Sequence, residues 1–347
     1  MTSKKYSEKK TSFLLLLILL LLHTIGMSQD IQYSQFYANP IYLNPAFAGS
    51  AHNSRGIFHQ RVQWPALDAK YITSHFSVDH YTPNNNSGYG LMFFKDLQGS
   101  NTIATTEIAL QYSYELHLTD KHAFRAGIQA GYVSRNIDYS MLRFPDQYDS
   151  YGYLGTRTHQ PSDMDMVHYL DFTSGGIFYS DKYWVGVTYA HMNSPNQSFY
   201  GSESRLPVKF NFTGGYKFDL QKKTGSGQFE QGRNIHLTPT IHYKTQGKSD
   251  QVDLGLYFLY DHIITGFWYR GIPLLKRYRP GLQNNESIIV VAGFKINNSL
   301  SVSYSYDFVV SKLAPARTGG SHELNITYIH NRTTNKRKVK KLPCPKF

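Results

Sequence analysis

The chain has one cysteine, Cys344, so no disulfide can form within it. It has no apolar run long enough to cross a bilayer as a helix. The longest, Phe13–Leu22, is ten residues, about half of what a span needs. It also lacks G-x-S-x-G, H-E-x-x-H, G-x-x-x-x-G-K and any cysteine cluster. These absences remove the familiar hydrolase, zinc-protease and phosphate-cradling chemistries. The fifteen histidines are scattered; His236 and His242 share one face of a strand but lie six residues apart, too far to chelate one ion without help. The acids Asp138, Asp146, Asp149, Asp163 and Asp165 have no compact calcium-ligand spacing and read as a solvated loop. No catalytic residue, metal or cofactor is expected.

The opening residues read as an export signal. Lys4, Lys5, Lys9 and Lys10 precede the apolar run, and Gly26 and Ser28 set small residues before a cut ahead of Gln29. Residues 1–28 are therefore expected to be a cleaved signal peptide. The formal charge of +12 falls to +9 without that segment, and seven of those charges sit in Arg332–Phe347, which holds no acid. The body is thus nearly neutral. A basic tail suits nucleic acid or an anionic surface; for an exported protein the second applies, so no nucleic acid is expected. Residues 331–347 are read as a periplasmic tail, with Arg337, Lys338, Lys340 and Lys341 as candidate partner contacts.

What the mature chain does have is alternation. In Leu206–Leu220, Leu206, Val208, Phe210, Phe212, Tyr216, Phe218 and Leu220 share one parity, and Lys209, Asn211, Thr213, Lys217 and Asp219 the other. Period two over that length means a strand with one apolar and one polar face. In a second segment Ala104, Thr106, Ile108, Leu110, Tyr112 and Tyr114 oppose Glu107, Gln111, Ser113 and Glu115. About fourteen such segments can be marked between residues 55 and 330. Their connections alternate between short (Thr119–His122, Ser180–Lys182, Asp261–His262, Asn297–Ser299) and long (Asn136–His168, Asn193–Arg205, Ile272–Glu286), with Gln221–Asn234 as a long turn in the short set and the first two external loops short. Outer-membrane barrels have short periplasmic turns and long external loops, and twenty-eight tyrosines suit their interfacial girdles. The fold class predicted is all-β: an antiparallel transmembrane barrel in contact with outer-membrane lipid. Glu107, Glu115, Arg125, Arg270, Asp307 and Glu323 would face its lumen and pair there. Tyr257, Leu259, Ile264 and Trp268 fall on the lumenal parity too, which predicts an interior partly filled or occupied by a partner.

Residues 29–54 do not fit a strand. Asn39-Pro40 and Asn44-Pro45 repeat within a segment carrying Tyr33, Phe36, Tyr37, Tyr42 and Phe47. Each proline removes a donor and disfavours helix before it, so the segment reads as an ordered, turn-rich lead-in, placed in the periplasm. Asn39, Pro40, Tyr42, Asn44, Pro45 and Phe47 are its candidate partner contacts.

This segment, Ala38–Gly49 above all, resembles the opening of the PorP/SprF family of Bacteroidetes outer-membrane proteins, tied to type IX secretion and gliding. Met141–Asp149, Leu206–Phe218, Tyr269-Arg270, Tyr304–Leu313, Gly319–Tyr328 and the ending with Cys344-Pro345 and Phe347 resemble its later blocks. The resemblance implies a non-enzymatic barrel with one of two jobs. One is contact with periplasmic ring lipoproteins of the secretion motor. The other is holding a secreted adhesin by its C-terminal domain, which a partly apolar lumen fits better. An outer-membrane solute channel is the alternative expectation, and an enzyme would need a nucleophile and base on one face, for which the sequence offers no candidates.

Overall fold

The period-two segments pair edge to edge into one ring. In a computed structural model, residues 30–99, 101–155, 165–220, 235–272, 277–279, 282–283, 285–311 and 317–330 are described. The chain divides into two units, Met1–Asp30 and Ile31–Phe347, and of the first only Asp30 is described. The signal segment, Asp163 and the basic tail with Arg337, Lys338, Lys340, Lys341 and Cys344 lie outside the described residues.

Fourteen strands make the ring. The first seven are β1 (Ser54–Gln63), β2 (Tyr71–Thr82), β3 (Ser87–Gln98), β4 (Ile103–His117), β5 (Ala123–Ile137), β6 (Met166–Tyr179) and β7 (Tyr183–Ala190). The others are β8 (Lys209–Tyr216), β9 (Ile235–Gln246), β10 (Ser249–Tyr260), β11 (Ile263–Gly271), β12 (Asn285–Lys295), β13 (Leu300–Val309) and β14 (Ser321–His330). Each strand is antiparallel to its neighbours in sequence, and β1 pairs with β14 from Ser54↔His330 to Gln63↔Ser321, which closes the barrel. Closure leaves no unpaired strand edge for hydrocarbon to meet. The segment expected over Leu206–Leu220 is shorter: β8 starts at Lys209, Leu206 is buried, and after Lys217 only Phe218–Asp219 continues the pairing with β9. The ladder lapses opposite Pro239, which has no N–H to offer it.

Parity sorts the side chains as read from the sequence. On β4, Ile108, Leu110, Tyr112 and Tyr114 point outward, while Glu107, Gln111, Ser113 and Glu115 are buried inside. On β13, Tyr304 and Phe308 point outward against buried Ser301, Ser303, Ser305 and Asp307. The outward residues of β5 run apolar through Phe124, Ile128 and Tyr132, then turn polar at Ser134 and Asn136. That marks one border of the lipid belt. Both Ser54 and His330 lie at the end of the barrel that carries the short turns, such as Asp261–His262. The long connections from β5 to β6, β7 to β8, β11 to β12 and β13 to β14 lie at the other end, and the long connection from β8 to β9 lies at the short-turn end.

Ile128 sits at the centre of the belt on β5 with 61% of its surface outward. An arginine there costs about 2–4 kcal/mol at the bilayer midplane. Ile128→Arg is therefore expected to lose the heat-modifiable folded band on a gel. Gln129→Ser, one residue on and facing inward, should retain it.

Candidate functional site

The interior is filled by the chain's own amino-terminal segment. Residues 31–51 contain no Asp, Glu, Lys, Arg or His, and from Tyr33 to Ala51 all but Tyr42 are buried. The segment expected in the periplasm lies instead inside the barrel. It is turn-rich as predicted: Phe36–Ala38, Pro40–Leu43 and Pro45–Phe47 form three short helical turns. Pro40 and Pro45 each stand at a helical start, where a missing N–H costs nothing. The Asn44 side chain accepts from Ala46 N at 2.9 Å, a normal N-cap bond.

The segment spans the length of the lumen, and ionic groups of the wall grip it at two levels. Near the long-loop end the Glu323 carboxylate accepts the backbone N–H groups of Ser34 (2.6 Å) and Gln35 (2.8 Å). The Ser34 hydroxyl donates to Asp307 and accepts from Arg61 (2.9 Å) and Arg270 (3.2 Å). Arg270 also donates to Tyr33 O at 3.2 Å and to Asp253 at 3.0 Å, and Arg61 pairs with Glu323. Tyr33 stands beside His59 and His75.

The second grip is near the short-turn end. Arg125, wholly buried, donates to Ala46 O (3.1 Å) and Ala48 O (2.5 Å) while paired with Glu115 at 2.8 Å. Tyr179 donates to the same Glu115 at 2.6 Å. Below it Asp79 accepts from Gly49 N at 2.8 Å and holds Arg55 at 2.8 Å. Two wall glycines admit the backbone. A Cβ on Gly127 would lie 2.3 Å from Ala46 N, and one on Gly175 would lie 2.1 Å from the Asn44 amide oxygen. Between the two grips an apolar layer is crossed by hydrogen bonds from Asn325, Gln111 and Thr188 to the carbonyls of Ala38, Ile41 and Leu43. Phe36 meets Trp268 edge-on at 4.9 Å, and Tyr37 meets Tyr257 at 4.1 Å.

Sequence reasoning brought together the right wall residues for an incomplete reason. Tyr257, Ile264 and Trp268 do enter the lumen, and what fills it is the segment itself. Arg270, Asp307 and Glu323 join one cluster, Arg125 and Glu115 another, while Glu107 takes a hydrogen bond from Gln129 (3.1 Å). Of the proposed contacts, Asn39, Pro40, Asn44, Pro45 and Phe47 are buried against the barrel's own wall, and the Tyr42 hydroxyl donates to Ile31 O at 2.8 Å. They do not form an outward surface. Ser34, Gln35 and Arg61 were missed. The signal that points to them is the uncharged stretch flanked by inward-parity ions. In the loop, Asp138 and Asp149 accept from nearby backbone N–H groups of Ser140 and Tyr151, and no metal-holding cluster occurs among the described residues.

Two substitutions separate barrel from filling. Arg125→Ala leaves the Glu115 carboxylate buried without its cation, and is expected to cost about 3–5 kcal/mol, read as a lower unfolding midpoint of the heat-modifiable band. Gly127→Val crowds only the inner face. It is expected to preserve that band while exposing Tyr33–Tyr42 to chymotrypsin.

No curated protein matches the chain. Solved structures with similar topology include the outer membrane protein Omp33 of Acinetobacter baumannii, at 7% identity over 80% of this chain and 98% of that one, TM-score 0.44. The toluene transporter TodX of P. putida matches at 9% identity over 83% and 93%, TM-score 0.46. A mutant porin of Rh. blastica matches at 9% over 80% and 99%, TM-score 0.35. The family model for the type IX secretion system membrane protein PorP/SprF matches residues 25–328. With that match over nearly the whole closed barrel, this chain belongs to the PorP/SprF family of type IX secretion system membrane proteins, and it is an outer-membrane β-barrel.

Proposed function

We propose that this barrel is a non-enzymatic component of the type IX secretion and gliding machinery that works through protein contacts, holding a secreted adhesin at the cell surface by its C-terminal domain. The observation that carries this reading is the occupied lumen: an interior packed with Phe36, Tyr37, Trp268 and Tyr257 suits a scaffold and weighs against a resting solute channel. The long-loop rim supports it. Tyr148, Tyr151 and Tyr153 stand exposed there, Tyr151 at 97%, and clustered aromatics are favoured protein-contact residues. Coupling to periplasmic ring lipoproteins is the second reading. Its support is His330, the last strand residue, at the short-turn end, from which the basic tail continues. Export by a signal peptide cut before Gln29 belongs to both.

The test is a crosslinked pull-down of tagged protein from its native outer membrane. Recovery of a large secreted adhesin, lost on Tyr151→Ala with Tyr153→Ala, is the expected outcome; recovery of ring lipoproteins, lost on deleting residues 332–347, would favour the motor reading. The mature protein should begin at Gln29 by mass. In planar bilayers it should conduct little, and a steady large conductance would favour the channel.

A further inference from the structure

The filling segment is bound without a single charge of its own. Every charged group it touches belongs to a strand, and the acids and arginines among them each already have a partner on another strand. Glu323 keeps Arg61, Asp253 keeps Arg270 at 3.0 Å, Asp307 keeps Arg61 at 3.3 Å and Arg270 at 3.4 Å. Glu115 keeps Arg125 at 2.8 Å, and Asp79 keeps Arg55 at 2.8 Å. Breaking a buried ion pair by removing one member is strongly destabilising, because it leaves an uncompensated buried charge. Here removal of the segment breaks none.

Much of what holds the segment is main chain. Arg270 donates to Tyr33 O, Asn325 to Ala38 O, Gln111 to Ile41 O, Thr188 to Leu43 O and Arg125 to Ala46 O. Recognition of that kind tolerates changes of side chain. The side-chain requirement falls on the aromatic slots beside Trp268 and Tyr257 and on three polar residues: Ser34 at Asp307, Gln35 between Ser303 and Ser305, and Asn44, which donates to Gly176 O and Val187 O. Burial also loosens toward one end: Asp30, Ile31 and Gln32 are partly exposed, and Gln32 accepts from Lys244 at 2.7 Å near the long-loop mouth. The segment can therefore be peeled from that side, and the acids and arginines of an emptied wall stay paired.

We propose that the lumen is a polypeptide-binding site, filled at rest by residues 31–51 of the same chain and able to take in their place an uncharged, aromatic-rich segment of a protein partner. The inference rests on the protein-contact reading for the partner's identity alone, because the exchange itself needs no partner.

The experiment uses purified full-length protein with a protease site inserted between Asn53 and Ser54. After cutting, dye-labelled synthetic peptide of residues 31–51 is added and followed by fluorescence anisotropy, with barrel integrity read from the heat-modifiable band. The expected result is saturable uptake of one labelled peptide per barrel, release of the resident one, and about tenfold or weaker binding of a scrambled peptide. No uptake by a folded barrel, or release only on unfolding, would overturn the proposal. If the insertion blocks assembly, hydrogen exchange on the unaltered protein decides. The amides of residues 33–50 should exchange together, about tenfold or more faster than those of β4 and β5, as a separate cooperative opening. Exchange only with global unfolding would refute it.

Discussion

An irregular segment sealed inside a barrel carries peptide groups with no strand to pair with, and each one left without a partner costs about 1–3 kcal/mol. That constraint organises the lumen. A wall of fourteen strands spends most of its own backbone groups on its neighbours, so the main-chain groups that the guest's own turns leave over are met chiefly by wall side chains. The inward positions supply them in kind: acids where the segment offers N–H, as at Ser34 and Gln35, and Arg, Gln, Thr or Asn where it offers carbonyls. Since charged hydrogen-bonding groups are costly to bury singly, the acids and arginines of the wall come as pairs. The two grips follow from these two demands together.

Membership of a secretion family, a filled interior and a lipid-facing belt give a consistent picture of a barrel used as a fixed body in the membrane. Barrels of intermediate size lie between those packed solid by wall side chains and those left open. This one takes a third route, in which a piece of chain that belongs to no strand completes the core. The apolar layer between the grips, with Ile41 and Phe47 almost wholly buried, is packed as in a soluble protein although it sits within a membrane.

Much of this was legible in the sequence because strand parity is a local signal. Glu107 against Ile108, and Asp307 against Phe308, sort themselves by alternation alone, and the Asn-Pro pairs announce turns wherever they lie. Trp268 and Tyr257 on the lumenal parity were sufficient to say that the interior holds something. The location of that something was not legible. Ser34 and Glu323 are 289 residues apart, and no periodicity reports a contact between a turn and a strand at that distance. The edge of β8 was misread for a related reason: Leu206 keeps the outward parity of the strand but is buried outside it, so alternation ran past the point where pairing stops.

The position of Glu323 has a bearing on how the molecule is made. It lies on the last strand, whose pairing with β1 closes the ring, and it receives Ser34 and Gln35 from near the start of the chain. A ribosome supplies those two parts at opposite ends of synthesis. Until the final strand arrives, the backbone N–H groups of Ser34 and Gln35 have no carboxylate to bind and the lumen has no finished wall. A seated segment is thus a record of completed biogenesis: a chain truncated before β14 cannot form it, and remains distinguishable from the finished product by an unfilled interior.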